Sequence, residues 1–221
     1  MRALVTGASR GIGSGIARQL VAAGWQVLAP SRAQLDLGDH DAIRRYCAQL
    51  DDELGDARLD ALVHSAGVNW PKAIADVDHA TWSLTLQVNV GATMQLVQGL
   101  QPRLVGARVV ALGSILGIVG RPKRAAYSTS KAALAGLVRA LAVELGPQQT
   151  LVNALCPGYI DTDLTRANNT PEQLAAIAST IPLGRLGRVD EIAALATWLC
   201  SPANSYMTGQ SLVIDGGFTC Q

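Results

Sequence analysis

Short, almost unbroken apolar runs alternate with helix-patterned stretches along this chain. Arg2–Val5, Trp25–Ala29, Leu59–His64, Arg108–Leu112, Leu151–Leu155 and Ser211–Ile214 read as strands. Between them, Ser14–Ala23, Asp39–Leu54, Asp78–Leu104, Tyr127–Leu145, Pro171–Thr180 and Asp190–Leu199 carry helical spacing. In Asp39–Leu54, for example, Ile43, Tyr46, Cys47 and Leu50 share one face, while Arg44, Arg45, Gln49 and Asp52 lie elsewhere. Strands buried on both faces lose the in–out alternation of a half-exposed sheet, so the pattern predicts a parallel sheet covered by helices on both sides. The expected fold is α/β, a single Rossmann-like doubly wound sheet. No repeat, low-complexity tract or linker interrupts it, so residues 1–221 are expected to form one domain.

Composition narrows the function. Apolar residues make up 49% and charged residues 16%, with a formal net charge of +1. That balance gives no electrostatic footprint for nucleic acid or an anionic membrane. The amino-terminal apolar run is broken too early for a signal peptide, and no run approaches the roughly 18 apolar residues of a membrane span. Cys47, Cys156, Cys200 and Cys220 lie far apart, without a metal-site spacing. They read as reduced thiols of a cytoplasmic protein, and no metal is expected.

Thr6-Gly7-Ala8-Ser9-Arg10-Gly11-Ile12-Gly13 joins the first strand to the first helix. Glycines there let the backbone approach a pyrophosphate, and the helix start offers free N–H groups and a positive dipole end. The spacing is G-x-x-x-G-x-G, without the Gly-Lys-Ser/Thr ending of a P-loop. With a dinucleotide in that turn, the ligand crevice lies beyond the carboxyl ends of the strands, where Gly67, Ser114 and Pro157-Gly158 also follow strand ends.

The turn, Ser65-Ala66-Gly67, Asn89, Ser114, Tyr127-x-x-x-Lys131, Pro157-Gly158 and Thr208-Gly209-Gln210…Asp215-Gly216-Gly217 stand in one order. In these motifs the chain resembles the short-chain dehydrogenase/reductase family over nearly its whole length, with a likeness to 3-oxoacyl-carrier-protein reductases. The resemblance implies hydride transfer between a nicotinamide dinucleotide and a carbonyl or secondary alcohol. It also implies a homo-oligomer, a tetramer or dimer, pairing the helices at 78–104 and 127–145. Small residues at Ala132, Ala133, Ala135 and Gly136 would allow close approach there, or would pack on their own sheet; Trp198 and the last strand would form a second contact.

At the end of the second strand an acidic side chain would favour NAD; Ser31-Arg32 stand there instead, with Arg10 in the glycine turn. Guanidiniums suit a 2′-phosphate, so NADP(H) is expected over NAD(H). Asp36-Leu37 resembles the family's pair at the adenine. Only Ala33-Gln34-Leu35 separate Arg32 from Asp36, whereas a crossover helix needs at least about 10–12 residues. The family's third strand and its helix are therefore expected to be truncated or absent.

Reduction of a carbonyl needs a proton donor whose pKa is near working pH. Lys131, one helical turn after Tyr127, is expected to lower the phenol's pKa and to reach the nicotinamide ribose. Ser114 is expected to hold the substrate oxygen. By resemblance Asn89 links Lys131 through water to solvent, and Pro157-Gly158, Ile160 and Thr162 cross the nicotinamide. His64 and Ser65 stand where relatives often carry asparagine, and are read as variants that still bond backbone. A lid is expected from Leu164 to Leu183, carrying Asn168, Asn169, Leu174, Ile177 and Ile181, with Arg166 and Glu172 as its notable charges. Two other readings fit the same residues: an NAD-dependent sugar or cyclitol dehydrogenase, and a nucleotide sensor that keeps the fold without the chemistry.

Overall fold

A computed structural model describes residues 1–221 except Asn168 and the side chain of Leu164; of the lid residues named above, Asn168 lies outside the described residues. Six parallel strands form one sheet in the order β2-β1-β3-β4-β5-β6. They are β1 (Arg2–Thr6), β2 (Gln26–Leu28), β3 (Ala61–His64), β4 (Arg108–Leu112), β5 (Leu151–Pro157) and β6 (Ser211–Ile214). Cross-strand register runs Leu4↔Leu62, Leu62↔Val109 and Val109↔Val152.

Those four residues pack on one face, against Ile43, Cys47 and Leu50 of α2 (His40–Leu54), Leu96 and Leu100 of α4 (Ala92–Leu100), and Leu134 and Val138 of α5 (Ala125–Leu145). Their neighbours Val5, Val63, Val110 and Leu155 face the other way, against Ile16 and Leu20 of α1 (Gly11–Ala22) and Ile192, Ala196 and Leu199 of α8 (Val189–Cys200). The two-residue period of a strand thus feeds both apolar layers, and the polar side chain inside β5, Asn153, is buried with its amide bonded to the Met207 carbonyl and the Gln210 N–H. Three shorter helices complete the set: α3 (His79–Leu86), α6 (Asp163–Ala167) and α7 (Pro171–Ser179), the last opened by a Thr170–Gln173 capping box.

The chain leaves β1 outward to β2 and then crosses back beyond β1 to β3. That reversal of direction opens a crevice at the carboxyl ends of β1 and β3. No strand follows β2. Instead the chain turns at once, with Gln34 and Leu35 N–H groups donating to the Ser31 carbonyl at 3.1 and 3.0 Å. Leu35 and Leu37 then turn into the core, and the Asp39 carboxylate caps α2 by accepting from the Asp41 and Ala42 N–H groups.

The helix expected over 78–104 is interrupted. Between α3 and α4, Gln87–Gly91 form one wide π-type turn, and a 3₁₀ turn follows at Gln101–Arg103. Asn89 sits in the wide turn and is fully buried.

Candidate active site

A cavity of about 530 Å³ opens along the crevice from the β2 end to the β5 end. Every residue expected at the cofactor or the reacting carbon lines it, apart from Asn89. Gly7 holds φ at 70°, a region that favours glycine, so the chain can turn out of β1. A Cβ on Gly13 would run into the Gly7 carbonyl and come within 3.0 Å of the Ser65 hydroxyl. The turn is therefore folded back on itself tightly enough to exclude any side chain at Gly13.

Helix α1 starts at Gly11 with Arg10 in the capping position, but Arg10 makes no side-chain cap bond and the first turn holds no acid. Among the described residues, the Gly11, Ile12 and Gly13 N–H groups have no side-chain partner. An uncapped helix start facing a cavity is suited to an anionic oxygen. A pyrophosphate fits this cradle. At the β2 end, Arg32 lies 3.6 Å from Asp36, an ion pair whose arginine is 85% exposed. The other Asp36 oxygen accepts from Gly38 N–H at 2.9 Å.

Tyr127, on the first turn of α5, lines this cavity. Burial pushes its phenol above the ordinary value; the nearby Ser114 hydroxyl and the Arg124 charge pull in the opposite direction. This corrects the expectation that Lys131 sets a lowered pKa in the cofactor-free protein. The Lys131 ammonium lies 5.6 Å from the Tyr127 ring centroid and donates at 2.6 Å to the Leu112 carbonyl. It is 5% exposed, and burial pulls its pKa down to about 8. Ser114 also accepts from Leu116 N–H at 3.1 Å, which fixes its hydroxyl at the end of β4.

The Asn89 amide is fully used in positioning. It accepts from Val68 N–H at 2.9 Å, donates to the Val68 carbonyl at 3.0 Å and donates to the Ser130 hydroxyl at 2.9 Å. Ser130 in turn donates to the Tyr127 carbonyl at 2.7 Å. Asn89 thus ties the loop after β3 to the first turn of α5. His64 is buried and held down to about 4, first by burial and then by the Lys131 charge. Its Nε2 meets the Val88 carbonyl at 3.0 Å, which can only accept, so Nε2 carries the proton. Nδ1 then accepts from the Thr6 hydroxyl at 3.0 Å.

A second cavity, about 460 Å³, adjoins the first at Leu116, Arg121, Tyr159, Asn169 and Ile177 and is also lined by Gln173 and Phe218 among others. Asn169 and Ile177 of the expected lid belong to this wall, whereas Ile181 is buried at 3% exposure. Arg166 pairs with Asp161 and Asp163 rather than with Glu172. Arg121, Arg124 and Tyr159 are not singled out by the sequence reading. The signal was present in Arg121-Pro122-Lys123-Arg124, three cations in four positions just before Tyr127.

Among the described residues, no helix is long and apolar enough to cross a membrane. The four cysteines are unpaired, three of them buried.

Residues 29–219 match the sequence profile of a family described as enoyl-(acyl carrier protein) reductase. A rhamnolipid-biosynthesis 3-oxoacyl-[acyl-carrier-protein] reductase of Pseudomonas aeruginosa is 40% identical, over 98% of this chain and 95% of its own. The structure of a short-chain type dehydrogenase/reductase from Mycobacterium marinum superposes with a TM-score of 0.91 at 34% identity, covering 100% of this chain and 96% of that one. A Beutenbergia cavernae protein, assigned as an NAD(P)-dependent gluconate 5-dehydrogenase and solved with NADP at low occupancy, reaches 0.93 at 33% identity over 100% and 97%. With this sheet, this cavity and these relatives, the chain belongs to the short-chain dehydrogenase/reductase family and is an oxidoreductase.

Proposed function

We propose that residues 1–221 act as one catalytic unit that transfers hydride between NADP(H) and a carbonyl or secondary alcohol, in the manner of a 3-oxoacyl-thioester reductase. One observation carries this reading: Ser114, Tyr127 and a buried Lys131 stand together on the wall of the cavity that the uncapped α1 start also faces. When bound, NADPH supplies the hydride. The chain does the rest. Gly7, Ser9, Gly11, Ile12 and Gly13 receive the pyrophosphate; Ser65, Ala66, Gly67, Asp36 and Leu37 flank the adenosine half; Pro157, Gly158, Ile160 and Thr162 border the nicotinamide. Ser114 and Tyr127 both hydrogen-bond the substrate oxygen, and Tyr127 gives it a proton in reduction or takes one in oxidation. Lys131 holds positive charge beside the reacting oxygen, where it favours phenolate once the ammonium swings from Leu112 toward the ribose. Asn89 keeps the Tyr127 turn in register through Ser130.

Arg10, Ser31 and Arg32 support NADP(H) over NAD(H), and the Beutenbergia relative holds NADP. Association through α4 and α5 completes the reading, as a dimer or tetramer. Ala132 and Ala133 face solvent while Leu134 and Val138 take the sheet side, and Met94 and Val143 are exposed on the same two helices.

The test is NADPH oxidation with a panel of ketones, 3-oxoacyl thioesters and quinones. Tyr127→Phe should lower kcat by about 10²–10⁴ and leave NADPH affinity nearly intact. Equal turnover in that variant removes Tyr127 from the chemistry. Bound NADPH with no turnover of any carbonyl refutes the enzymatic reading and favours a sensor.

A further inference from the structure

The walls beyond Tyr127 carry a charge imbalance that the hydride-transfer chemistry does not use. Leu116, Arg121, Tyr159, Asn169 and Ile177 line both cavities, so the second is the outward continuation of the first at its reactive end. Arg121 stands at that passage. Its Nη1 donates to the Tyr159 hydroxyl at 2.6 Å, and its guanidinium lies 5.2 Å from the Tyr159 ring centroid. Phe218 braces that ring edge-on, with centroids 5.3 Å apart at 82°. Arg124, on the inner wall, donates at 2.8 Å to the Asn69 side-chain oxygen. Both arginines are thus aimed by neutral groups.

Neither arginine has an acid partner among the described residues, although Arg103, Arg166 and Arg185 each hold a carboxylate. Burial disfavours the charge on Arg124, and the nearby Arg121 charge adds to that. Among the described residues no Asp or Glu lines the outer cavity; Asp36 and Asp163 line the inner one, paired with Arg32 and Arg166. Helix α5, which begins beside Arg124, has no side-chain cap and no acid in its first turn. Two guanidiniums without an acid partner therefore line the inner cavity, Arg121 where it opens into the outer one and Arg124 further in. A neutral substrate would leave that repulsion standing, whereas an anionic group would accept from both forks and relieve it.

We propose that the natural substrate carries its own anionic group, a carboxylate or phosphate set apart from the reacting carbon, and that Arg121 and Arg124 hold it. This rests on the hydride-transfer reading above. Hydride from NADPH forms the new C–H bond, Tyr127 supplies the O–H proton, NADPH leaves as NADP⁺, and the anionic group is unchanged. Leu116 and Ile177, which line both cavities, flank the carbon chain between the two ends.

The experiment compares initial rates of NADPH oxidation with a series of short oxo-carboxylates, each against its methyl ester, and with hydroxyacetone phosphate against hydroxyacetone. The charged member of a pair is expected to have the higher kcat/KM by about tenfold or more, mainly through KM. The pair with the larger ratio separates carboxylate from phosphate. Arg121→Gln should bring the charged-to-neutral ratio close to one, and Arg121→Lys should keep part of it. The inference is overturned by equal rates within every pair in the wild type, or by a ratio that survives both Arg121→Gln and Arg124→Gln; in either case turnover itself leaves the reductase reading standing. Absence of turnover for all pairs refutes the reductase reading instead. Calorimetric titration of an oxo-carboxylate and of hydroxyacetone phosphate into the protein with NADP⁺ then decides the anion site, and no arginine-dependent binding of either overturns it.

Discussion

Lys131→Met should make the cofactor-free protein more stable at neutral pH while abolishing its chemistry. The Lys131 ammonium is 5% exposed and has no carboxylate beside it; a carbonyl is its hydrogen-bond acceptor. Its pKa falls from 10.5 to about 8 on folding, mainly through burial. At about 1.4 kcal/mol per pH unit, keeping the charge in the folded protein costs roughly 3 kcal/mol at pH 7. Methionine fills a similar volume without charge, but gives up the charge-assisted bond to the Leu112 carbonyl, worth about 2 kcal/mol. The net gain is about 1 kcal/mol at pH 7. The sign with pH follows from proton counting: between about 8 and 10.5 the unfolded chain holds the proton more tightly than the folded one. Wild-type stability therefore rises across that window relative to the variant, and the advantage of methionine fades. Tyr127 is present in both proteins and cancels in the difference, whereas the Cys156 thiol feels the Lys131 charge and does not cancel, so both proteins carry Cys156→Ala for this measurement. Urea unfolding under reducing conditions, at steps from pH 7 to 10.5, measures it. A wild-type–variant difference that stays flat over that range, or a variant less stable at pH 7, refutes the idea that a functional charge is held here at the expense of stability.

Arg32→Ala should lower the NADPH-to-NADH ratio of kcat/KM by about tenfold, the loss of one charge-assisted contact; an unchanged ratio removes Arg32 from phosphate recognition. Gly13→Ala should lower the unfolding free energy by about 1–3 kcal/mol and abolish NADPH fluorescence enhancement, because the added methyl runs into the Gly7 carbonyl; a wild-type melting temperature with intact binding contradicts that. His64 falls from 6.5 to about 4 on folding, so the unfolded chain binds the extra proton first as pH drops through that window. Wild type should lose roughly 3 kcal/mol on acidification from pH 6.5 to 4, and His64→Asn should flatten that slope in urea melts. An equal slope in both proteins places the acid-sensitive group elsewhere.

The inner strands β1, β3, β4 and β5 were legible because they are buried on both faces and so written as apolar runs; the edge strand β6, half exposed, still begins and ends where the pattern places it, as β4 does. The absent third strand was equally legible, since a loop too short for a crossover is a matter of length alone. The break at Gln87–Gly91 was not. A π-type turn keeps the same apolar side chains and only widens the backbone, so periodicity continues across it. Tyr127, Ser114 and Lys131 are visible as spacing, but spacing does not show where an ammonium points. In the fold Lys131 turns to Leu112, and Arg124 is the nearer influence on the phenol. Arg121 and Arg124 carry no motif spacing, and only folding brings Tyr159 and Phe218 to Arg121 and Asn69 to Arg124.

The truncation after Arg32 has a consequence unrelated to catalysis. Removing the outermost strand leaves β2 as the sheet's rim, and a long, flat rim is a template on which other chains can add strands. Here β2 spans only Gln26–Leu28, and the chain curls into a turn at Ser31. So short an exposed ladder gives an incoming strand few main-chain bonds to form, and the turn ends the register at once. The same brevity that thins the adenine side of the crevice protects the sheet from edge-to-edge self-association.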